Sequence, residues 1–152
     1  MKVHHRVDIA APRTLVWDIT TDIEALPDHT PTMTSATKLD PAPLAVGSTV
    51  RVKQPAQRAK VWTITEFVTD ERFSWATKST GMTMTARHDL VETPTGTTNT
   101  LTVELAGQFA PILGALIRRS VRKALATENA AIKAVAERRS PDTIPSDRTA
   151  SS

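Results

Sequence analysis

Apolar residues recur at spacings of three and four between Phe109 and Arg139, in the stretch FAPILGALIRRSVRKALATENAAIKAVAERR. This periodicity is typical of an amphipathic helix, and Pro111 is compatible with it because a proline is tolerated in the first turn. At 1.5 Å per residue such a helix spans on the order of 40 Å, so it needs a broad apolar surface to pack against. The predicted buried stripe comprises Ile112, Leu113, Leu116, Ile117, Val121, Ala124, Leu125, Ala131, Ile132 and Val135.

The segments upstream of this helix are predicted strands that supply that surface. Residues 2–9 alternate apolar and polar side chains, and residues 60–69 are rich in β-branched and aromatic residues. Two short helices are predicted after the first strand, one from Pro12 with Trp17 near its edge, and one over Asp22–Leu26 that ends before Pro27. The remaining predicted strands are 34–39, 49–53, 73–78, 82–91 and 97–105.

Short turns between successive strands favour one antiparallel sheet that bends around the long helix. The sequence therefore predicts an α+β fold, a curved antiparallel sheet of about seven strands wrapped around a C-terminal helix, with a candidate pocket between them. A chain of 152 residues with 39% hydrophobic residues fits a single domain, expected over residues 1–139. Residues 140–152, rich in Ser, Pro, Asp and Thr, are expected to form a disordered tail.

Composition excludes several classes of chemistry. The chain has no cysteine, which removes disulfides, thiolate catalysis and Cys-type zinc sites. It has neither a glycine-rich nucleotide motif nor histidines spaced as metal ligands, so we expect no cofactor and no metal. There is no signal-peptide run and no stretch of about 18 apolar residues, so we expect a cytoplasmic protein without stable membrane insertion.

The net charge of +3 is too weak an excess to indicate nucleic-acid binding. Basic residues cluster only at Arg118, Arg119, Arg122 and Lys123, on the predicted long helix, where a solvated helix face is the simplest interpretation. With three Phe, three Trp and no Tyr, the chain also has few side chains for base stacking. We therefore expect no nucleic-acid partner.

Several short motifs follow one another in a recognisable order along residues 2–138. The motifs are I-x-A-P-x-x-x-V-W at Ile9–Trp17, W-T-I-T at Trp62–Thr65, F-S-W at Phe73–Trp75, A-R-H-D-L at Ala86–Leu90, G-T-T at Gly96–Thr98 and E-N-x-x-I-K-x-x-x-E at Glu128–Glu137. With these motifs in this order, the chain resembles the SRPBCC superfamily of START-like, helix-grip proteins, in its bacterial polyketide cyclase/dehydrase and lipid-transport branch.

The resemblance implies a helix-grip fold with a hydrophobic cavity between the sheet and the long helix, which binds a small, largely apolar molecule. Because one fold hosts many functions, three interpretations stay open. The first is binding or transport of a lipid or polyketide-like molecule. The second is a cyclase/dehydratase-type enzyme without metal or nucleotide cofactor that uses the same cavity. The third is a protein-interaction module whose contact surface is Arg118–Lys123. Ligand identity and oligomeric state are not predicted.

Two titratable residues are the candidates for catalysis. His88 lies in the same strand row as Met84 and Leu90, so it could act as a general acid or base in an apolar cleft. Glu128 and Asn129 lie three and four residues beyond Leu125, so one of them could point toward the cavity, where a buried carboxylate would be a catalytic candidate. Alternatively, strand neighbours anchor His88 and an arginine pairs with Glu128. His29 is a weaker candidate at a cavity entrance. The predicted ligand-binding residues are His5, Trp62, Trp75, Met82, Met84, Ala86, His88, Leu113, Leu116 and Ile117.

Overall fold

The computed structural model describes residues 1–140, so the predicted tail lies outside the described residues apart from Ser140. The first strand is followed by a helix, a 3-10 turn at Ile23–Ala25 and a second, short helix; six further strands and one long helix complete the fold. The helices are α1 (Arg13–Thr21), α2 (Leu26–His29) and α3 (Ala110–Arg139). The strands are β1 (Lys2–Ile9), β2 (Ser35–Lys38), β3 (Thr49–Lys53), β4 (Lys60–Val68), β5 (Arg72–Ser79), β6 (Met82–Thr93) and β7 (Gly96–Gly107).

The seven strands form one antiparallel sheet in the order β1-β7-β6-β5-β4-β3-β2. Strands β2 to β7 form a meander of successive neighbours, whereas β1 pairs with β7, with Lys2 opposite Glu104. Gly96 begins β7 with a positive φ of 151°, and a Cβ there would collide with the carbonyl oxygen of Ile9. Only glycine fits this close approach of two backbones. The predicted curved sheet and long terminal helix are confirmed.

Helix α3 packs mainly against β1 and β7, and α1 and α2 also contact it. Gly114 lets the helix approach the first residue closely, because a Cβ at this position would lie 2.6 Å from Cβ of Met1. The helix therefore lies along one side of the sheet, and α1 with the 3-10 turn covers much of the rest.

The core consists of two apolar clusters. The larger one joins α1, the 3-10 turn, β3 to β5 and the C-terminal half of α3, and it contains Trp17, Phe73 and Trp75. The smaller one contains Val3, Leu101, Val103 and Leu125. Met84 and Ala86 on β6 contact both clusters while staying only partly buried themselves.

Three local predictions are wrong. The second helical segment does not end before Pro27, because α2 contains this proline in its first turn, where no N–H donor is needed. Pro12 is the N-cap of α1, not its first helical residue. Trp17 does not lie near the edge of its helix; it is 5% exposed, with Phe67 and Phe73 in edge-on contact with its ring.

Candidate functional site

The sheet side of the predicted site is formed by one face of β6. Met82, Met84 and Ala86 are half-buried, while His88 further along the same face is buried. Trp75 on β5 is the register partner of Ala86, and its ring lies 5.4 Å from the ring of Trp62. The predicted sheet residues are therefore brought together on one face, with their least covered part at Met82–Ala86.

The helix side is formed by a row of half-buried residues on α3. Leu113, Ile117, Val121, Ala124 and Glu128 follow spacings of three and four, so they lie on one side of the helix, and all five are half-buried. Val121 packs against the smaller cluster, and Met84 and Ala86 pack against the same cluster from β6. This row, which we call the inner row, therefore shares a cluster with the half-covered part of β6.

Leu116 does not belong to the inner row. It is 76% exposed, and Ile112 is 69% exposed, so both lie on the solvent side of α3. Leu116 is therefore wrong as a predicted interior residue, and Ile112 is wrong as a member of the buried stripe. The reason is geometric: one turn of α3 carries large apolar residues on two sides, and periodicity alone merges them into a single wide stripe.

Glu128 is the titratable group of the inner row. It is half-buried, with some of its surface still accessible, yet protein atoms surround it on most sides. Burial raises the pKa of Glu128 to about 7, because the charged carboxylate is poorly solvated there. Within residues 1–140, no hydrogen bond or ion pair to its carboxyl group is found, so the predicted alternative of an arginine partner is wrong. Near neutral pH the group exists in both protonation states.

The surroundings of His88 differ from those of Glu128. Its side chain is 4% exposed, and its ring stacks on Phe73 with centroids 4.2 Å apart and planes 11° from parallel. Burial lowers the pKa of His88 to about 4, against the smaller opposing effect of Asp89, so the imidazole is neutral at physiological pH. Its Nδ1 is buried without a hydrogen-bond partner within residues 1–140. His88 can therefore hydrogen-bond a molecule only where its neighbours make room.

His5 belongs to a buried amide network that the sequence gives no reason to expect. The Asn129 side-chain amide donates to the carbonyl oxygen of His5 at 3.0 Å and lies 2.8 Å from its Nδ1. Asn99 in turn donates to Oδ1 of Asn129 at 2.8 Å, and both asparagines are 0% exposed. Because the Asn129 amide nitrogen is a donor, Nδ1 of His5 is the acceptor and its ring proton is on Nε2. The network joins β1, β7 and α3 directly beside Glu128.

Two depressions of the surface lie away from this site. One, of about 450 Å³, is on the opposite face of the sheet, and polar residues such as Thr85, Arg87 and Asp89 line it. Arg72 and Arg87 both pair with Asp89, so the charges in this groove are largely satisfied by one another. The other, of about 380 Å³, lies beside the 3-10 turn and Phe67. Neither provides the predicted cavity between the sheet and α3, which stays a prediction.

The remaining candidates of the sequence analysis are not part of the inner row. His29 ends α2 and is half-buried. Across residues 1–140, no three His, Asp or Glu side chains come together as metal ligands would. In the same part of the chain, no helix is long and apolar enough to cross a membrane.

Solved structures with a similar fold include three that illustrate its range. A START superfamily protein from Mycobacterium smegmatis superimposes with a TM-score of 0.75 at 15% identity, covering 91% of this chain and 99% of that one. A Thalictrum flavum norcoclaurine synthase point mutant superimposes with a TM-score of 0.72 at 15% identity, covering 91% and 95%. The di-domain ARO/CYC StfQ from the steffimycin biosynthetic pathway gives a TM-score of 0.71 at 13% identity, covering 91% of this chain and 51% of that one.

Sequence comparison defines the family. No curated protein sequence matches the chain. The family model described as polyketide cyclase/dehydrase and lipid transport matches residues 1–137, which is nearly the whole of the part that the structure describes. The sheet, the long α3 and the motifs from Ile9 to Glu137 agree with this assignment. The chain therefore belongs to the polyketide cyclase/dehydrase and lipid transport family, and it has the START-like fold.

Proposed function

We propose that the protein binds and carries a small, largely apolar molecule between β6 and the inner row of α3. The observation that carries the proposal is the half-buried state of Met84 and Ala86, which lie between two otherwise buried clusters. Side chains in the middle of a sheet are normally covered, and partly covered apolar side chains there favour an apolar occupant. Met84 suits this role because a thioether adapts to irregular shapes.

Glu128 supports a more specific ligand class. A carboxyl group that is protonated half of the time near pH 7 donates a hydrogen bond in one state and accepts one in the other. Since no protein group occupies this hydrogen-bonding capacity within residues 1–140, an apolar molecule that carries one hydroxyl or carbonyl group would satisfy it. We therefore expect a ligand with a mainly hydrocarbon body and a single polar end.

Native mass spectrometry of the protein as purified, followed by denaturation and identification of any released molecule, tests this proposal. Binding is then measured for Ala86→Trp, which fills the space beside Trp75, and for Thr85→Trp on the opposite face of the same strand. We expect Ala86→Trp to lose the ligand and Thr85→Trp to retain it. Equal binding by both variants would place the ligand elsewhere, and an empty protein that binds no fatty acid, sterol or aromatic polyketide would refute the carrier function.

A cyclase/dehydratase-type enzyme is the second candidate, and the pKa of Glu128 is what favours it. A general acid or base works best when its pKa lies near the operating pH, and the pKa of Glu128 is about 7. His88 is a weaker candidate for the acid or base, because its Nδ1 is buried and its low pKa makes it a weak base.

Conservative variants distinguish the two candidates. If the protein is an enzyme, Glu128→Gln should retain ligand binding but lose turnover, by roughly 10²-fold or more for a positioned acid or base. His88→Ala should affect turnover much less than Glu128→Gln. If the protein is a carrier, the rate at which the ligand is transferred should change little with either variant. An unchanged turnover in Glu128→Gln would exclude Glu128 as the acid or base.

A further inference from the structure

Large apolar side chains protrude from the start of α3. Phe109 is 49% exposed, Ile112 is 69% exposed and Leu116 is 76% exposed. Ile112 and Leu116, four residues apart, lie on one side of the helix away from the inner row, and Phe109 is the N-cap residue that precedes them. Exposing three such side chains in one place is unfavourable in water.

The same side of α3 continues with positive charge. Arg119 follows Ile112 by seven residues and Lys123 follows Leu116 by seven, and both are exposed. Phe109, Ile112, Leu116, Arg119 and Lys123 thus form one line along the helix, which we call the outer row. Arg122 lies beside Arg119 and is also exposed, whereas Arg118 is exposed on another side of the helix. The outer row is apolar at its start and basic from its third turn onward.

The strands bring further positive charge to the end of the molecule where α3 starts. Because the strands are antiparallel neighbours, four chain segments meet at this end. They are the end of β3, the start of β4, the β5–β6 turn and the end of β7. Lys53, Arg58, Lys60 and Lys78 lie there, and residues 49–63 and 76–86 contain no acidic residue. Between residues 101 and 127 the only acidic residue is Glu104, the register partner of Lys2. The opposite end carries Asp40, Asp70, Glu71 and Glu92.

We propose that the outer row docks the protein on the surface of a bilayer that contains anionic lipids. The apolar start of the row would enter the boundary between headgroups and acyl chains, and the arginine and lysine side chains would reach the phosphates. An exposed apolar face combined with several basic residues is the pattern of reversible interfacial binding. Since no helix in residues 1–140 can span a bilayer, the docking is peripheral.

The shape of the surface favours a bilayer over a protein partner. The three apolar side chains project from a convex helix, and neither of the two surface depressions is lined by them. A fluid bilayer accepts protruding side chains without a complementary pocket, whereas an interface with a folded protein needs matched shapes. Leu113 and Ile117 of the inner row lie on the same turns as Ile112 and Leu116. An apolar ligand could therefore pass between the bilayer and the interior along α3.

Vesicle flotation tests the docking surface directly and does not require a ligand. Vesicles of phosphatidylcholine alone are compared with vesicles that also contain phosphatidylglycerol, at low and high salt. We expect binding only to the anionic vesicles and a loss of binding at high salt. The cavity variant Ala86→Trp should bind vesicles like the unchanged protein, so that a failure of the carrier function and a failure of docking are told apart.

Matched variants separate the outer row from the rest of the surface. Arg119→Glu with Lys123→Glu should weaken binding to anionic vesicles at least about tenfold, whereas Arg138→Glu with Arg139→Glu, at the other end of α3, should have little effect. Ile112→Asp with Leu116→Asp should abolish binding, and Val46→Asp with Val91→Asp, at positions 63% and 59% exposed, should not. Circular dichroism checks that each variant is folded.

The absence of cysteine provides a direct measure of which surface touches the lipid. An environment-sensitive dye attached at Leu116→Cys should shift to the blue with anionic vesicles, and the same dye at Val91→Cys should not. No binding by the unchanged protein, or equal shifts at both positions, would overturn the proposal. Concentration-dependent dimers that Ile112→Asp with Leu116→Asp dissociates, without vesicle binding, would assign the outer row to a second copy of the chain instead.

Discussion

Replacing Glu128 by glutamine should make the protein more stable at neutral and alkaline pH. Burial raises the pKa of this carboxyl from its ordinary value of 4.5 to about 7, so the folded protein holds the proton more tightly than the unfolded chain does. Below pH 4.5 the carboxyl group is mostly protonated in both the folded and the unfolded state, so it does not lower the free energy of unfolding. Its free energy of unfolding falls as the pH rises from 4.5 to about 7, and the loss is complete above that value.

The magnitude follows from the size of the pKa shift. Each pKa unit corresponds to about 1.4 kcal/mol, so ionisation of Glu128 costs the folded state about 3 kcal/mol above pH 7. Glu128→Gln has nearly the same shape and no charge, and it should recover most of this free energy. The midpoint of thermal unfolding at pH 8 should rise by on the order of 10 °C.

Urea unfolding of both proteins at several pH values between 4 and 9 measures the effect. We expect the two free energies of unfolding to be similar near pH 4 and to diverge as the pH rises. Glu137→Gln on the same helix is the control of opposite sign. Its hydrogen bond with Lys133 lowers the pKa of Glu137 despite partial burial, so its stabilisation is present above the pKa of the unfolded chain and is lost as the pH falls. If the free energies of unfolding of Glu128→Gln and the unchanged protein change with pH in the same way, water solvates the carboxylate and the reasoning is refuted.

Three further substitutions test other parts of the structure. Asn129→Ala leaves the buried amide of Asn99 without its acceptor and should cost about 1 to 3 kcal/mol in urea unfolding, whereas Thr127→Ala, at a half-buried helix position, should cost under about 0.5 kcal/mol. Gly96→Ala should lower the unfolding midpoint strongly because its Cβ meets the Ile9 carbonyl, and Gly47→Ala, with φ of 93° but open space around it, should cost only about 1 to 2 kcal/mol. Asp89→Asn removes the shared partner of Arg72 and Arg87 and should cost about 1 kcal/mol at pH 7 and less at high salt; an unchanged stability would show that solvent screens these pairs completely.

The order of strands and helices was predictable because it depends on patterns a few residues long. Alternation identified β1 with its observed bounds, and Gly47 before an alternating segment did the same for β3. Strands β6 and β7 extend beyond the predicted ranges, since a tight turn at Pro94 and Thr95 allows pairing to continue to Thr93 and Gly96. The ends of these strands are rich in threonine and have no clear alternation of apolar residues, so the sequence did not predict how far the strands extend.

The candidate site was less predictable because it depends on how α3 is rotated. Leu116 and Ile117 are equally apolar in sequence, yet one is solvent-exposed and the other belongs to the inner row. The position of α3 on β1 and β7 sets this rotation, and Gly114 was the one available signal, since a glycine inside a helix often marks a close approach. The spacing of Asn129 from Leu125 and Ile132 indicated that its side chain could point inward, but it did not indicate the partners His5 and Asn99, which lie on distant strands.

The pairing of β1 with β7 has a consequence for how the protein is made. His5 and Asn129, which hydrogen-bond one another in the folded protein, are 124 residues apart in the chain. During synthesis, β1 and its apolar face leave the ribosome long before β7 and α3 exist to cover them. Closing such a long loop makes the last step of folding slow, and exposed apolar strands meanwhile are prone to aggregate. Nascent chains of this protein should therefore depend on chaperones until α3 has been translated.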